Sequence, residues 1–379
     1  MQNKYLKYNL LSMSVILFTA CGGSSETDTT STETTQSSTV SVVISTKEEL
    51  GESLFSDTSL SLTRTMSCAT CHDPLHAFID TRANGVNGAV SLGDDGSSLG
   101  DRNSPMASYA SFTPSFDLTN LSGGQFLDGR ALDLTEQAKG PFLNPVEMQM
   151  PDESSVIDRV RENDSYVATM ESLYGETIFD DTDSAYTAIA DAIAAFESTA
   201  AFSPFDSDFD TNTMSAAAIR GRDLFRSRRV NCVRCHDDRG DNALFTNFTY
   251  ENLGLPANTN VRSQNGHGLD HGLLDNPDVS AQTEDGKFKV NSLRNVAVTA
   301  PYMHNGVFQD LKTVVHFYNT RDTGGINPET GSAWEAAEIN RPNIVTNDVG
   351  NLGLSDAEED DIVAFLEALT DAKYKDLIP

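Results

Sequence analysis

The sequence is short of basic side chains, cysteine, tryptophan and long apolar runs, and each shortage narrows what the chain can be. Against 56 aspartates and glutamates stand 26 lysines and arginines, a formal net charge of −30. Such a surface repels phosphate, which argues against nucleic acid and anionic lipid as partners. It suits an acidic surface adapted to salt, or a basic redox partner. Beyond Ala20 no apolar run approaches the ~20 residues that a membrane-spanning helix needs. Only five cysteines occur in 379 residues, and four of them fall in two short segments.

Those segments are Ser67-Cys68-Ala69-Thr70-Cys71-His72 and Asn231-Cys232-Val233-Arg234-Cys235-His236. A disulfide or a redox-active pair does not require a histidine directly after the second cysteine, and a zinc site needs a further Cys or His pair at knuckle spacing, which neither segment has. The CxxCH spacing is that of c-type haem attachment. Two thiols add across the haem vinyl groups, and the adjacent imidazole becomes the proximal iron ligand. Two segments imply two covalently bound haems, one in each half of a chain long enough for about two domains.

Residues 1–21 read as a bacterial secretion signal, with Lys4 and Lys7 before an apolar core from Leu10 to Ala20. Ala20-Cys21 resembles a lipoprotein cleavage site, although Phe18 stands where leucine is usual; Cys21 would then be lipidated and the protein anchored outside the cytoplasm. An ordinary signal peptide is the alternative. Residues 22–44 are rich in Ser, Thr, Gly and Glu at their start and read as a flexible tether.

The remainder predicts a mainly α fold of two c-type cytochrome-like haem domains in tandem, 45–205 and 206–379. A helix is expected over Thr46–Phe55, with Leu50, Leu54 and Phe55 on one face, and a short one near Leu132, Leu134 and Ala138 that Gly140-Pro141 stops. An alanine-rich helix is expected over Asp183–Ala201, and another over Ser215–Arg229 with Ile219, Leu224 and Phe225 inward. Leu311–Tyr318 and a final helix capped by Ser355 complete the set. The stretches after each CxxCH, to Asn120 and to Asp285, are rich in turn formers and read as loops wrapped over a cofactor.

Of seven histidines, His72 and His236 are proximal ligands. His76 follows His72 too closely to reach the opposite haem face, and His267 and His271 sit in a Gly-rich loop that reads as solvated. Further blocks carry a family signal: Gly-Asp-Arg-Asn-Ser-Pro at 100–105, Asp-Gly-Arg-Ala at 128–131, Glu-Gln-Ala-Lys-Gly-Pro at 136–141, Asn-Pro-Val-Glu-Met at 144–148, and Leu-Arg-Asn-Val-Ala-Val-Thr-Ala-Pro-Tyr-Met-His-Asn-Gly at 293–306. With the first CxxCH these resemble, in order and from about residue 45 to the C-terminus, the bacterial diheme cytochrome c peroxidases and their relative MauG.

The resemblance implies that the first haem is the peroxide site, with Glu147 as distal acid and Gln137 as its hydrogen-bonding partner. It implies that Tyr318, seventeen residues after Pro301, is the second haem's sixth ligand, where electron-transferring peroxidases have Met and MauG has Tyr. It implies a calcium ion held by the side chain of Asn103 and the backbone carbonyls of Thr299 and Pro301. The loop histidine that caps the first haem in reductively activated members is Asp95 here, so the first iron is expected to be five-coordinate or water-bound as made. The family's inter-haem tryptophan is Leu127, and the sole tryptophan is Trp334. Read without the resemblance, Glu147 is as well a surface charge on a Pro-bounded turn, Tyr318 a helix residue packing on Phe317, and Met303 a rival iron ligand.

The function implied is reduction of hydrogen peroxide with electrons from a small cytochrome c or copper protein, outside the cytoplasm; a homodimer is compatible with it. Peroxide-dependent oxidation of a protein side chain is the alternative that Tyr318 and Asp95 favour. A non-catalytic diheme electron carrier is the third reading, and it leaves Glu147 and Gln137 without a purpose.

Overall fold

Helix starts in this chain are set by short polar caps. In the computed structural model, which describes residues 44–379, Thr46 accepts from Glu49 N while the Glu49 carboxylate accepts from Thr46 N, opening α1 (Lys47–Ser56). Ser355 and Glu358 repeat that box at α10 (Asp356–Glu367). Between them run α2 (Cys68–Cys71), α3 (Leu134–Leu143), α4 (Glu153–Arg161), α5 (Asp164–Tyr174), α6 (Thr182–Glu197), α7 (Ala216–Phe225), α8 (Thr259–Asn265) and α9 (Leu311–Thr320). Four two-residue strands form two antiparallel pairs, Tyr250–Glu251 with Phe288–Lys289 and Ile326–Asn327 with Ser332–Ala333. The fold is mainly α. The secretion signal, Cys21 and all but the end of the tether lie outside the described residues.

Two buried clusters hold it together. One joins Leu50, Leu54 and Phe55 of α1 to Ala185, Ile189, Ala192 and Ile193 of α6 and Phe142 of α3; the other joins Phe225 of α7 to Phe245, Phe308, Phe317 and Ile362, Phe365 and Leu366 of α10. The clusters are built on one plan. Gly51 of α1 lies so close to α6 that an added Cβ would stand 1.9 Å from Ala192 O, and Gly221 of α7 so close to α10 that one would stand 1.8 Å from Asp361 O. Four residues after each glycine comes an aromatic anchor, Phe55 or Phe225. Phe55 meets Phe196 and Phe78 at 5.4 and 6.4 Å, and Phe225 meets Phe365 and Phe245 at 5.2 and 6.4 Å. Such rings stabilise by ~1.5–3 kcal/mol each when buried. Gly221→Ala is therefore expected to destabilise by at least ~1–3 kcal/mol, because α7 must move off α10; the urea midpoint should fall with little change in slope, and an unchanged midpoint would contradict this packing.

Three expectations need correction. Pro141 does not stop α3, which runs on to Leu143. Proline in the last turn forfeits one hydrogen bond, and the carbonyls of Pro141 and Phe142 are taken instead by the N–H groups of Met148 and Met150 at 3.1 and 2.8 Å. Ile219 is 40% exposed rather than inward, since the face that meets α10 is Ala218, Gly221 and Phe225. Helices α4, α5 and α8 stand where none was anticipated; Asp152, Asn163 and Asn258 cap them, accepting from Ser155, Ser165 and Val261 N–H groups.

Candidate active site

Each CxxCH segment closes a single turn. His72 N donates to Cys68 O and His236 N to Cys232 O, both at 2.9 Å. This points each ring inward, where a carbonyl fixes it: His72 Nδ1 lies 3.1 Å from Phe78 O, and His236 Nδ1 lies 2.9 Å from Phe245 O. A carbonyl carries no proton, so Nδ1–H donates and Nε2 keeps its lone pair for a metal. Burial holds both rings below the ordinary histidine pKa and so neutral. Phe78 and Phe245 each adopt left-handed backbone, φ 58° and 56°, which costs a non-glycine residue ~1–2 kcal/mol. Both side chains are buried in the aromatic clusters, which offsets that cost. These two carbonyls were not anticipated, because only the tertiary fold brings them under the imidazoles.

One cavity of about 840 Å³ is lined by both segments: Cys68, Cys71 and His72 on one side, Cys232, Cys235 and His236 on the other. Its size lies within the ~300–1,000 Å³ of cofactor sites. The four cysteines are unpaired, and among the described residues no cluster of three His, Cys, Asp or Glu is placed to hold a metal ion. Free-thiol pairs beside neutral, carbonyl-fixed imidazoles at a large cavity fit two haems.

Glu147 and Gln137 line the same cavity. Gln137 projects from α3. Glu147 ends the turn Asn144-Pro145-Val146-Glu147, where Glu147 N donates to Asn144 O at 3.0 Å and Asn144 Nδ2 donates to Glu147 Oε1 at 2.7 Å. Burial raises the Glu147 pKa above the ordinary glutamate value, while Arg130 and the Asn144 bond act in the opposite direction. Arg130 also lines the cavity, with its guanidinium 3.8 Å from the Phe126 ring centre and bonded to Asp128 at 2.7 Å. It belongs to the Asp-Gly-Arg-Ala block at 128–131, to which the sequence assigns no role.

On the other side Tyr318, from α9, lines the cavity and is near enough to Cys235 and Cys232 to feel their charge; burial first, then those thiols, raise its phenol pKa. Met303 lines the cavity too. Leu127 is 5% exposed in the wall that both halves share, with its carbonyl accepting from Lys289 N. Trp334 packs on Phe308 and Phe317 at 5.7 and 5.2 Å and is not among the cavity residues. Asn103, Thr299 and Pro301 line the cavity too, and they also meet with Asp80 and Ser91 around a small second void of about 10 Å³. Asn103 Nδ2 donates to Ala89 O at 3.0 Å, which leaves its Oδ1 as a free acceptor.

Of the remaining candidates, His267 and His304 also line the cavity, and Asp95, His76, His271 and His316 lie apart from it. Asp95 is exposed and occupied by Ser97 N and Ser98 N, at 2.8 and 2.7 Å. His76 pairs with Asp73 at 2.7 Å outside the cavity. His267 is exposed, as its Gly-rich loop suggests, and His271 is half-buried; each is paired with a carboxylate, Asp101 and Asp285, at 2.7 Å. His316 bonds buried Glu359 at 2.9 Å. His304 is 8% exposed and stacked 3.6 Å from Phe288, and it lines the cavity between the halves.

Comparison with known proteins agrees with this geometry. Residues 45–216 match the family model for di-haem cytochrome c peroxidase. The methylamine utilization protein MauG of Paracoccus denitrificans is 45% identical over 352 residues, covering 87% of this chain and 89% of that protein. The cytochrome-c peroxidase IdrP1 of a Pseudomonas species is 29% identical over 86% of this chain and 80% of its own. The crystal structure of the diheme peroxidase BthA from Burkholderia thailandensis superposes with a TM-score of 0.77 at 29% identity, covering 89% of both chains. A cavity lined by two CxxCH segments, on a fold shared with a diheme peroxidase, places the chain in the di-haem cytochrome c peroxidase family, oxidoreductases that act on peroxide.

Proposed function

We propose that the chain reduces hydrogen peroxide at a haem bound through Cys68, Cys71 and His72, with Glu147 and Gln137 assisting, and draws electrons through a haem bound through Cys232, Cys235, His236 and Tyr318. Each half, 45–205 and 206–379, then serves one haem. The observation that carries this reading is that a carboxylate with a raised pKa and an unpaired amide share one cavity with both imidazoles. Bound haem iron supplies the electrophilic centre and the electrons. Glu147 takes the proton from one peroxide oxygen and returns it to the other, which leaves as water. Asn144 holds that carboxylate in place, and the Gln137 amide orients the peroxide. The Phe78 carbonyl keeps the His72 ring in the tautomer that ligates.

The cysteine spacing supports covalent thioether attachment, and the secretion signal supports a periplasmic, lipid-anchored protein. Among the described residues no helix is long and apolar enough to cross a membrane. Asn103 Oδ1 with the Thr299 and Pro301 carbonyls offers the hard oxygen donors that suit calcium, completed by waters. EGTA treatment is expected to lower turnover, and added Ca2+ to restore it; unchanged turnover in metal-depleted protein would remove that ion.

Turnover assays with reduced small c-type cytochromes and copper proteins test the main reading. Two donor molecules oxidised per peroxide are expected, and no donor oxidation above a haem-only control would overturn it. A second reading, peroxide-dependent oxidation of a protein side chain, is favoured by Tyr318 and by the identity to MauG.

A further inference from the structure

Helix α6 ends on a carboxylate where nothing around it favours one. Glu197 is 6% exposed, its Oε2 has no hydrogen-bond partner, and it occupies the last helical position, at the negative end of the helix dipole. It nevertheless lines the haem cavity and acts on Cys68. The proposed peroxide chemistry does not use it.

Its neighbours supply no compensating charge. The helices packed on α6 bring apolar faces: Leu50, Leu54 and Phe55 from α1, Ala138 and Phe142 from α3, and Val156, Ile157 and Val160 from α4. Their charged groups are engaged elsewhere or exposed. Lys47 pairs with Asp191 and Lys139 with Glu136; Arg159 and Arg161 bond the carbonyls of Leu62 and Phe179; Glu48, Glu49 and Glu52 are exposed. Asp180 precedes the opposite end of α6. Within the cavity Glu197 acts on Cys68, a thiol that thioether formation removes, and no charged group acts on Glu197 itself. Burial alone pushes the Glu197 pKa up to about 8.

We propose that Glu197 is the charge-compensating proton site of the first haem: its carboxylate takes one proton from solvent when the His72 iron gains an electron, and releases it when the iron is reoxidised. The electron comes from the donor, or from a chemical one-electron reductant, and no bond other than the carboxyl O–H forms or breaks. An anionic carboxylate in a dry wall favours the more positive, oxidised iron, whereas a neutral carboxyl removes that bias. The reduction potential therefore falls as pH rises through the carboxyl's titration range. Glu147 handles the protons of peroxide, and Glu197 handles the charge of the haem.

This rests on the reading of His72 as a haem ligand. Spectroelectrochemical titration of the holoprotein, followed separately at its two haems and on either side of about pH 8, tests it. Wild type should show a first-haem potential that falls with pH, and Glu197→Gln should lose that slope while the second haem is unaffected. Redox-difference infrared spectra of wild type should show a protonated-carboxyl C=O band that Glu197→Gln lacks. Equal slopes in the two proteins, or no such band in wild type, would overturn the proposal. Should the glutamine variant fail to mature, Glu197→Asp keeps the carboxyl and should keep both signals. A purified chain without haem absorbance would instead remove the reading of His72.

Discussion

Glu147→Gln is expected to lower kcat/KM for hydrogen peroxide by about 10²–10⁴-fold, the usual contribution of a positioned acid–base group, while both haems are retained. The glutamine keeps the shape and the bond from Asn144 on its oxygen, but it cannot accept and return a proton. The pH profile adds an independent signature. The Glu147 pKa is raised by burial, so the carboxyl is protonated, and useless as a base, up to a higher pH than an ordinary glutamate. Peroxide reactivity of wild type should accordingly fall as pH drops, with its midpoint above the ordinary glutamate value, and that acid limb should vanish in Glu147→Gln. Equal rates in the two proteins would leave the carboxylate without a role.

Tyr318→Met is expected to raise the reduction potential of the second haem by on the order of 100 mV, within the ~0.8 V that axial ligands span. A phenolate stabilises ferric iron, whereas a thioether favours ferrous. The substitution should speed turnover with reducing donors and shorten the lifetime of any oxidising equivalent stored after peroxide is added. Tyr318→Phe separates ligation from packing, since it keeps the ring against Phe317, 6.5 Å away, and removes only the oxygen. If neither variant moves the potential, Tyr318 is a packing residue and Met303, in the same cavity, becomes the ligand to test.

What the sequence made legible was whatever chemistry fits in a short stretch. The two CxxCH turns, the capping boxes of α1 and α10, and the Asn144–Glu147 turn are local, and their residue types state their geometry. The inward face of α7 was misread because Gly221, not Ile219, decides which side meets α10, and the approach to Asp361 lies 140 positions away in the chain. The carbonyls of Phe78 and Phe245 were invisible for a related reason: a strained backbone is stabilised by aromatic contacts distant in sequence. Pro141 misled because its cost depends on position within the turn, and α3 places it where one hydrogen bond is at stake. Glu197, inside an alanine-rich amphipathic pattern, gave no sign of facing a cofactor rather than solvent. Leu127 lies in the wall common to both halves, where the resemblance places a tryptophan, and Trp334 is not among the residues that line that wall.

The central claim is that the His72 iron meets peroxide beside Glu147 in the oxidised protein as made, with Asp95 tied to its own loop and not among the cavity residues. Rapid mixing of the fully oxidised holoprotein with hydrogen peroxide, observed by absorbance and electron paramagnetic resonance, tests it most directly. The account predicts a high-spin ferric signal at rest that disappears on mixing, without any prior reductant. Two low-spin ferric haems, unchanged by peroxide, would contradict it.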